Sequence, residues 1–168
     1  IRVHQGRSHP LMLIVIDDFF DIETLEKLAY GLRYKTIPGF IPFQYLDHMP
    51  DHARKIFECA AKYFDLSSAI GVEMWSNIDG GPASWHTDND TKVFFATGEE
   101  KYPLCTTVFY PYVDNDLVGG AFETKDVTIK PLKNRLVMFS PGVLHNVQPY
   151  TGKRISLVYN PWDYNPHM

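Results

Sequence analysis

Gly152-Lys153-Arg154-Ile155-Ser156-Leu157-Val158-Tyr159 alternates in character along its length. Successive side chains of a strand point to opposite faces. Arg154 and Ser156 therefore share one face, while Ile155, Leu157 and Tyr159 take the other. That period of two reads as a β-strand, and similar short runs precede it. Segments rich in Val, Ile, Phe, Tyr and Thr lie near residues 70–78, 92–97, 104–113, 121–124, 126–130, 135–140, 144–148 and 154–160. Turn clusters separate them, and no long helical period interrupts them. Many short strands without crossover helices imply an antiparallel sandwich or barrel, and a jelly roll fits their count.

The N-terminal part has a different texture. Residues 1–10, with His4 and His9, are polar and read as a loosely held arm. Leu11-Met12-Leu13-Ile14-Val15-Ile16 is a continuous apolar run, suited to a strand covered on both faces. Asp21 is placed as an N-cap, and Ile22, Leu25, Leu28, Ala29 and Leu32 then recur at helical spacing, which predicts a helix over 22–34. Prolines at 38, 42 and 50 interrupt residues 35–50. Pro50-Asp51 opens a second helix, with Ala53, Ile56, Phe57, Ala60, Ala61 and Phe64 on one face. Both helices read as supports against the sheet, with His52 solvated on the polar side of the second. The tail from Asn160 to Pro166 is expected to wrap the outside. The expectation is one domain over 1–168: mainly β, with a supporting strand and helices at 11–65 and a β core at 69–160.

Composition narrows the class. The chain has 168 residues, 45% hydrophobic and 21% charged, which suits one globular domain rather than a disordered segment. Its net charge of −4, without a run of Lys or Arg, argues against a nucleic-acid footprint. The apolar run at 11–16 is too short to span a bilayer. Cys59 and Cys105 sit among apolar neighbours and read as buried free thiols of a reducing compartment. A soluble, cytoplasmic protein without a membrane partner is expected, and a start upstream of Ile1.

The residues that carry chemistry lie in Trp85-His86-Thr87-Asp88-Asn89-Asp90 and in Pro141-Gly142-Val143-Leu144-His145. In an extended segment His86 and Asp88 present an imidazole and a carboxylate to one side. Asp90 continues that face roughly 6.6 Å further on and is the weaker ligand candidate. His145, aimed by a Pro-Gly turn, is the best placed third ligand. Two His and one carboxylate leave coordination positions open, the arrangement of non-haem Fe(II) oxygenases. His-x-Asp alone is common by chance; Arg154 raises its weight. An inward Arg needs a partner, because an unpaired buried guanidinium is costly. A dicarboxylate co-substrate bound bidentately, with Ser156 adding a hydrogen bond, is one partner; an internal Asp or Glu is the other.

These residues resemble the iron- and 2-oxoglutarate-dependent dioxygenases, and among them the prolyl-4-hydroxylase-like group. That pattern is His-x-Asp, a distal His, then a basic residue followed two positions later by Ser or Thr. The chain supplies His86-Thr87-Asp88, His145, Arg154 and Ser156. Thr106-Thr107-Val108-Phe109-Tyr110-Pro111-Tyr112 is similar to the family's second strand, Gly119-Gly120 to the glycines opening the next, and Arg135-Leu136-Val137-Met138-Phe139-Ser140-Pro141 to the strand before the distal His. The resemblance implies a double-stranded β-helix with Fe(II) on His86, Asp88 and His145. It implies 2-oxoglutarate with its far carboxylate on Arg154, helped by Tyr110 and Ser156. Dioxygen would be consumed, succinate and CO2 released, and a C–H bond hydroxylated, with ascorbate as an accessory reductant. The substrate would be a peptidyl residue such as proline, or a small amino-acid-like molecule.

Departures from the pattern sharpen the expectation. Trp75-Ser76-Asn77 stands where the prolyl hydroxylases carry a Tyr, and Pro111 stands in place of Leu, which predicts a bend. Asn160 replaces the second Arg of the nucleobase-demethylating branch. Asp88 favours hydroxylation over halogenation. Trp75, Trp85 and Tyr102 are candidates for the substrate mouth, although Trp85 should face away from His86. Two rival readings are a cupin-like metalloenzyme that does not use 2-oxoglutarate and a metal-free β-barrel binding module.

Overall fold

The structure, a computed structural model, describes residues 1–5, 11–32, 39–78 and 81–166. It opens with β1 (Arg2–Gln5) paired antiparallel to β2 (Met12–Ile16). The start of the expected loose arm is thus an edge strand. Ladder pairing needs only backbone groups, so a polar segment can join a sheet edge. His9 lies outside the described residues. The helix α1 (Ile22–Leu32) begins where Asp21 accepts from the Thr24 amide at 2.8 Å. The predicted residues 33–34 of this helix lie outside the described residues. β3 (Gly39–Pro42) forms inside the proline-rich stretch because it pairs with β4 alone, leaving one edge without ladder bonds. α2 (Asp51–Ala60) follows.

The remaining elements are β4 (Gly71–Ile78), β5 (Ala83–His86), α3 (Thr91–Thr97), β6 (Thr106–Val113), β7 (Val118–Gly119), β8 (Phe122–Thr124), β9 (Thr128–Ile129), β10 (Arg135–Phe139), β11 (His145–Val147), β12 (Tyr150–Thr151) and β13 (Arg154–Trp162). A seven-stranded sheet runs β1-β2-β10-β6-β13-β4-β3, a four-stranded sheet runs β5-β11-β8-β9, and β7 pairs with β12. Every pairing is antiparallel. This is the expected jelly roll, the double-stranded β-helix.

Alternation divides the core in two. On one side of the large sheet, Phe109, Leu136, Leu157 and Tyr159 pack with Leu25, Leu28, Ala53 and Ile56 of the helices. On the other, Leu13, Val15, Tyr110, Val137 and Phe139 pack with Phe122 and Ile129 of the small sheet. Each fully buried apolar chain stabilises the fold by about 1.5–3 kcal/mol relative to exposure. Asn134, at φ 65, locks the helical layer to the sheet. Its side chain accepts from the Phe20 amide at 2.9 Å and donates to the Phe20 carbonyl at 2.7 Å.

Three local expectations need correction. Residues 91–97 form α3 rather than a strand, because Asp90 caps the first turn and Gly98, at φ 75, closes the last. The C-terminal segment does not wrap the outside: β13 continues through Trp162, which is 2% exposed and donates its indole N–H to Glu73 at 2.8 Å. His52 is not solvated. Its ring lies 5.8 Å from that of Tyr159, and its Nε2 is buried without a hydrogen-bond partner. The bend expected at Pro111 is present as a bulge, with Tyr110 and Pro111 together opposite Ser156. Proline, lacking an N–H, is tolerated there because a bulge breaks the ladder.

Candidate functional site

β5 and β11 are neighbours in the small sheet, and their register sets His145 directly opposite His86. The two ring centroids are 4.3 Å apart. His86 Nδ1 lies 2.7 Å from the Ser84 carbonyl oxygen and His145 Nδ1 lies 2.8 Å from that of Val143. A carbonyl only accepts, so each Nδ1 carries the proton and donates it. In the neutral imidazole that tautomer leaves each Nε2 with a free lone pair. These two nitrogens lie 3.7 and 3.9 Å from the Asp88 oxygens, and the three ligand atoms all fall within 4.8 Å of one another.

Each member of this trio is held by the fold. Thr106 Oγ1 donates to Asp88 Oδ2 at 2.9 Å. The His145 ring stacks on Phe122 at 5.2 Å and meets the edge of Phe139 at 5.0 Å. Burial pushes the His145 imidazole below its ordinary range, against the pull of Asp88. The neutral form, the one that can ligate a cation, is therefore favoured. The His86 side chain is 42% exposed, so the site opens on its side. Two imidazoles and one carboxylate on one side of a common point are a donor set that fits Fe(II) and leaves coordination positions open.

Asp90, the weaker ligand candidate, is committed elsewhere. It accepts from the Val93 amide at 3.1 Å and from the Tyr164 hydroxyl at 3.0 Å. Glu73 lies near both Asp88 and Asp90. Burial raises its carboxyl above the usual range, and those two carboxylates add to the shift, while the Trp162 hydrogen bond pulls it back.

A cavity open to solvent is lined by all six residues singled out in the sequence: His86, Asp88, Tyr110, His145, Arg154 and Ser156. Thr106, beside Asp88, begins β6, whereas Arg154 pairs with Val113 at the other end of that strand. The trio and the guanidinium thus stand at different depths of one space. Arg154 is 4% exposed, donates from Nη1 to the Gly120 carbonyl at 2.9 Å, and lies over the rings of Tyr150 and Tyr110. Among the described residues no ion pair involves it. Of the two partners left open by the sequence, the internal acid is therefore missing, and the remaining donors of the guanidinium fit a ligand carboxylate. Burial raises the Tyr110 hydroxyl, while Arg154 pulls it down.

Trp75 and Asn77 line the cavity and Ser76 does not, as the period of two requires. Trp85 is 51% exposed and outside the lining, in keeping with its position next to His86. Tyr102 is also outside it and donates its hydroxyl to Glu100. Sequence reasoning missed Thr106, although stepping back by twos from Tyr110 along one strand face reaches it. It missed Tyr150 too, for which no periodic signal exists.

The family described as the 2OG-Fe(II) oxygenase superfamily matches residues 73–162. No curated protein matches the sequence. Among solved structures, the chain is similar to a prolyl-4-hydroxylase of Pseudomonas putida, with a TM-score of 0.61, 17% identity and 93% of each chain covered. It is similar to the viral collagen prolyl hydroxylase of Paramecium Bursaria Chlorella virus-1 in its 2OG complex, with a TM-score of 0.58 and 17% identity over 89% of this chain and 95% of that one. A third is the Trichoplax adhaerens prolyl hydroxylase in complex with a hypoxia inducible factor peptide fragment, with a TM-score of 0.56 and 13% identity over 90% of this chain and 83% of that one. At these identities the likeness is one of fold.

Proposed function

The chain belongs to the 2OG-Fe(II) oxygenase superfamily, and on that premise we propose that it hydroxylates a peptidyl residue, with proline as the favoured target. Membership makes it an Fe(II)- and 2-oxoglutarate-dependent hydroxylase that consumes dioxygen. When bound, the iron supplies the activation of dioxygen that is coupled to decarboxylation of 2-oxoglutarate to succinate.

The chain's own residues have four tasks in this proposal. His86, Asp88 and His145 hold the metal through two Nε2 atoms and a carboxylate. Thr106 keeps the carboxylate from turning away. Arg154 receives the far carboxylate of 2-oxoglutarate, and Ser156 and Tyr110, which line the same cavity, share it. Val108, Phe122, Val147 and Val158 give the wall an apolar part, which limits water around the reacting atoms.

The carrying observation is the pairing, in one cavity, of the His86-Asp88-His145 trio with a buried Arg154 that has no acidic partner among the described residues. A metal-free module has no use for the first, and a metalloenzyme that does not use 2-oxoglutarate has none for the second. The peptide target rests on the prolyl hydroxylases whose fold is shared, one of them described with a bound peptide fragment. It also rests on the cavity, which is open to solvent beside His86, where a peptide can approach the trio.

The test is succinate formation from 2-oxoglutarate with Fe(II) and dioxygen, against a panel of prolyl and other peptides and free amino acids. The expected result is succinate matched by gain of one oxygen in a prolyl peptide, abolished in His145→Ala. Coupled turnover of free amino acids alone would overturn the peptide reading. Failure of 2-oxoglutarate to bind the Fe(II)-loaded protein would overturn the assignment of Arg154.

A further inference from the structure

We propose that Tyr150 is a positioning residue for the far carboxylate of 2-oxoglutarate, holding the Arg154 guanidinium by its ring face. This rests on the role proposed above for Arg154. The Arg154 Cζ lies 4.6 Å from the centroid of the Tyr150 ring, closer than its 5.7 Å to Tyr110. Both fall inside the range of a cation–π contact.

The manner of holding matters more than its strength. An acidic partner would occupy the planar fork of the guanidinium, which is the part that recognises a carboxylate. An aromatic face instead holds the cation without placing a carboxylate on that fork. The Gly120 carbonyl takes one donation, at Nη1. A long, rotamer-rich side chain is thereby ordered before any ligand arrives, and ordering that would otherwise oppose binding is already complete.

Tyr150 is itself built into place. It pairs with Gly119 in the β7–β12 ladder, and the next residue, Gly120, is closely approached by its ring. A Cβ at Gly120 would stand 3.2 Å from the Tyr150 Cβ and 3.3 Å from its Cγ, at a φ of +71 that already favours glycine. Gly119-Gly120 therefore allows the backbone to supply the Arg154 acceptor and make room for the tyrosine at once. At its far end the Tyr150 hydroxyl accepts from the Gly81 amide at 3.2 Å. Gly81 lies two residues before β5, the strand that carries His86. One side chain thus touches the Arg154 guanidinium and the segment that enters the metal-bearing strand.

The test compares two ligands on the anaerobic Fe(II)-loaded protein by calorimetry. 2-Oxoglutarate uses both the metal and Arg154, whereas oxalate chelates the metal and has no far carboxylate. Tyr150→Leu should weaken 2-oxoglutarate binding by about tenfold, a size between that of an exposed and a desolvated cation–π contact. Oxalate and Fe(II) affinities should stay close to wild type. Tyr150→Phe, which keeps the face and loses the tether, should bind 2-oxoglutarate nearly as wild type does. Tyr150→Met provides the same comparison if Tyr150→Leu does not melt cooperatively.

Unchanged 2-oxoglutarate affinity in the face-deleting variants would overturn the proposal, as would equal loss of both ligands. Arg154→Ala separates this from the underlying reading. If Arg154→Ala binds 2-oxoglutarate as wild type does, the role of Arg154 is wrong. If only Arg154→Ala loses binding, the role of Tyr150 is wrong.

Discussion

His86 and His145 stand opposite each other in the β5–β11 ladder, yet neither points its protonated nitrogen at the other. Each Nδ1 is turned back to a carbonyl two residues earlier in its own chain segment, Ser84 or Val143. The backbone thereby selects the tautomer and leaves both Nε2 lone pairs facing Asp88.

Removal of one of these imidazoles should abolish useful metal binding. His145→Ala is expected to weaken Fe(II) by more than the roughly 10–100-fold that loss of an outer-sphere partner costs. Anaerobic Fe(II) titration checks this, and wild-type affinity in the variant would rule His145 out as a ligand.

Thr106→Val keeps the shape of the side chain and deletes the hydroxyl that donates to Asp88 at 2.9 Å. The expected loss of metal affinity is about 10–100-fold, with the fold retained. Competition with a chelator of known affinity measures it; an unchanged constant would show that Asp88 needs no such support.

Asp90→Ala should behave in the opposite way. Deleting the α3 N-cap should lower stability by about 0.5–2 kcal/mol and leave Fe(II) affinity unchanged. Denaturant unfolding and metal titration of the same variant read the two effects separately. A large loss of Fe(II) affinity with intact stability would return Asp90 to the ligand set.

Burial pushes His52 down to about 4, against a weaker upward pull from Asp51. The unfolded chain takes up this proton near pH 6.5 and the folded chain only near pH 4, so between these values the unfolded state binds more protons. Stability is therefore present in full above pH 6.5 and falls as the pH drops to 4, by up to about 3 kcal/mol. His52→Phe should flatten this part of the stability profile, measured by urea unfolding across the window. An identical profile in the variant would assign the slope to other groups.

How far the sequence could be read depended on whether a feature lies along one strand or between strands. β4, β6, β10 and β13 were legible because β-branched and aromatic runs bounded by turn residues are local signals, and β13 also alternates. The direction of Trp75 into the cavity and of Trp85 out of it follows from the same period. The segment 91–97 was not legible by that rule: Val93, Phe94 and Phe95 favour strands, but the Asp90 and Gly98 caps decide for a short helix with no buried residue. The order of polar residues at the N-terminus held no sign that Arg2–Gln5 would pair with β2, because such pairing is made by the backbone.

What the sequence determined by itself is the supply of chemistry: two imidazoles and a carboxylate in a His-x-Asp and distal-His pattern, and Arg154 and Ser156 on one strand face. These follow from residue type and a period of two, which need no partner strand. Only the tertiary structure decided the register that sets His145 against His86, and the absence of an acid beside Arg154 among the described residues. It alone brought Thr106 to Asp88 and Tyr150 to the guanidinium. Those relationships join residues distant in the chain through sheet register and glycine-permitted close approach, neither of which is written in the local order of side chains.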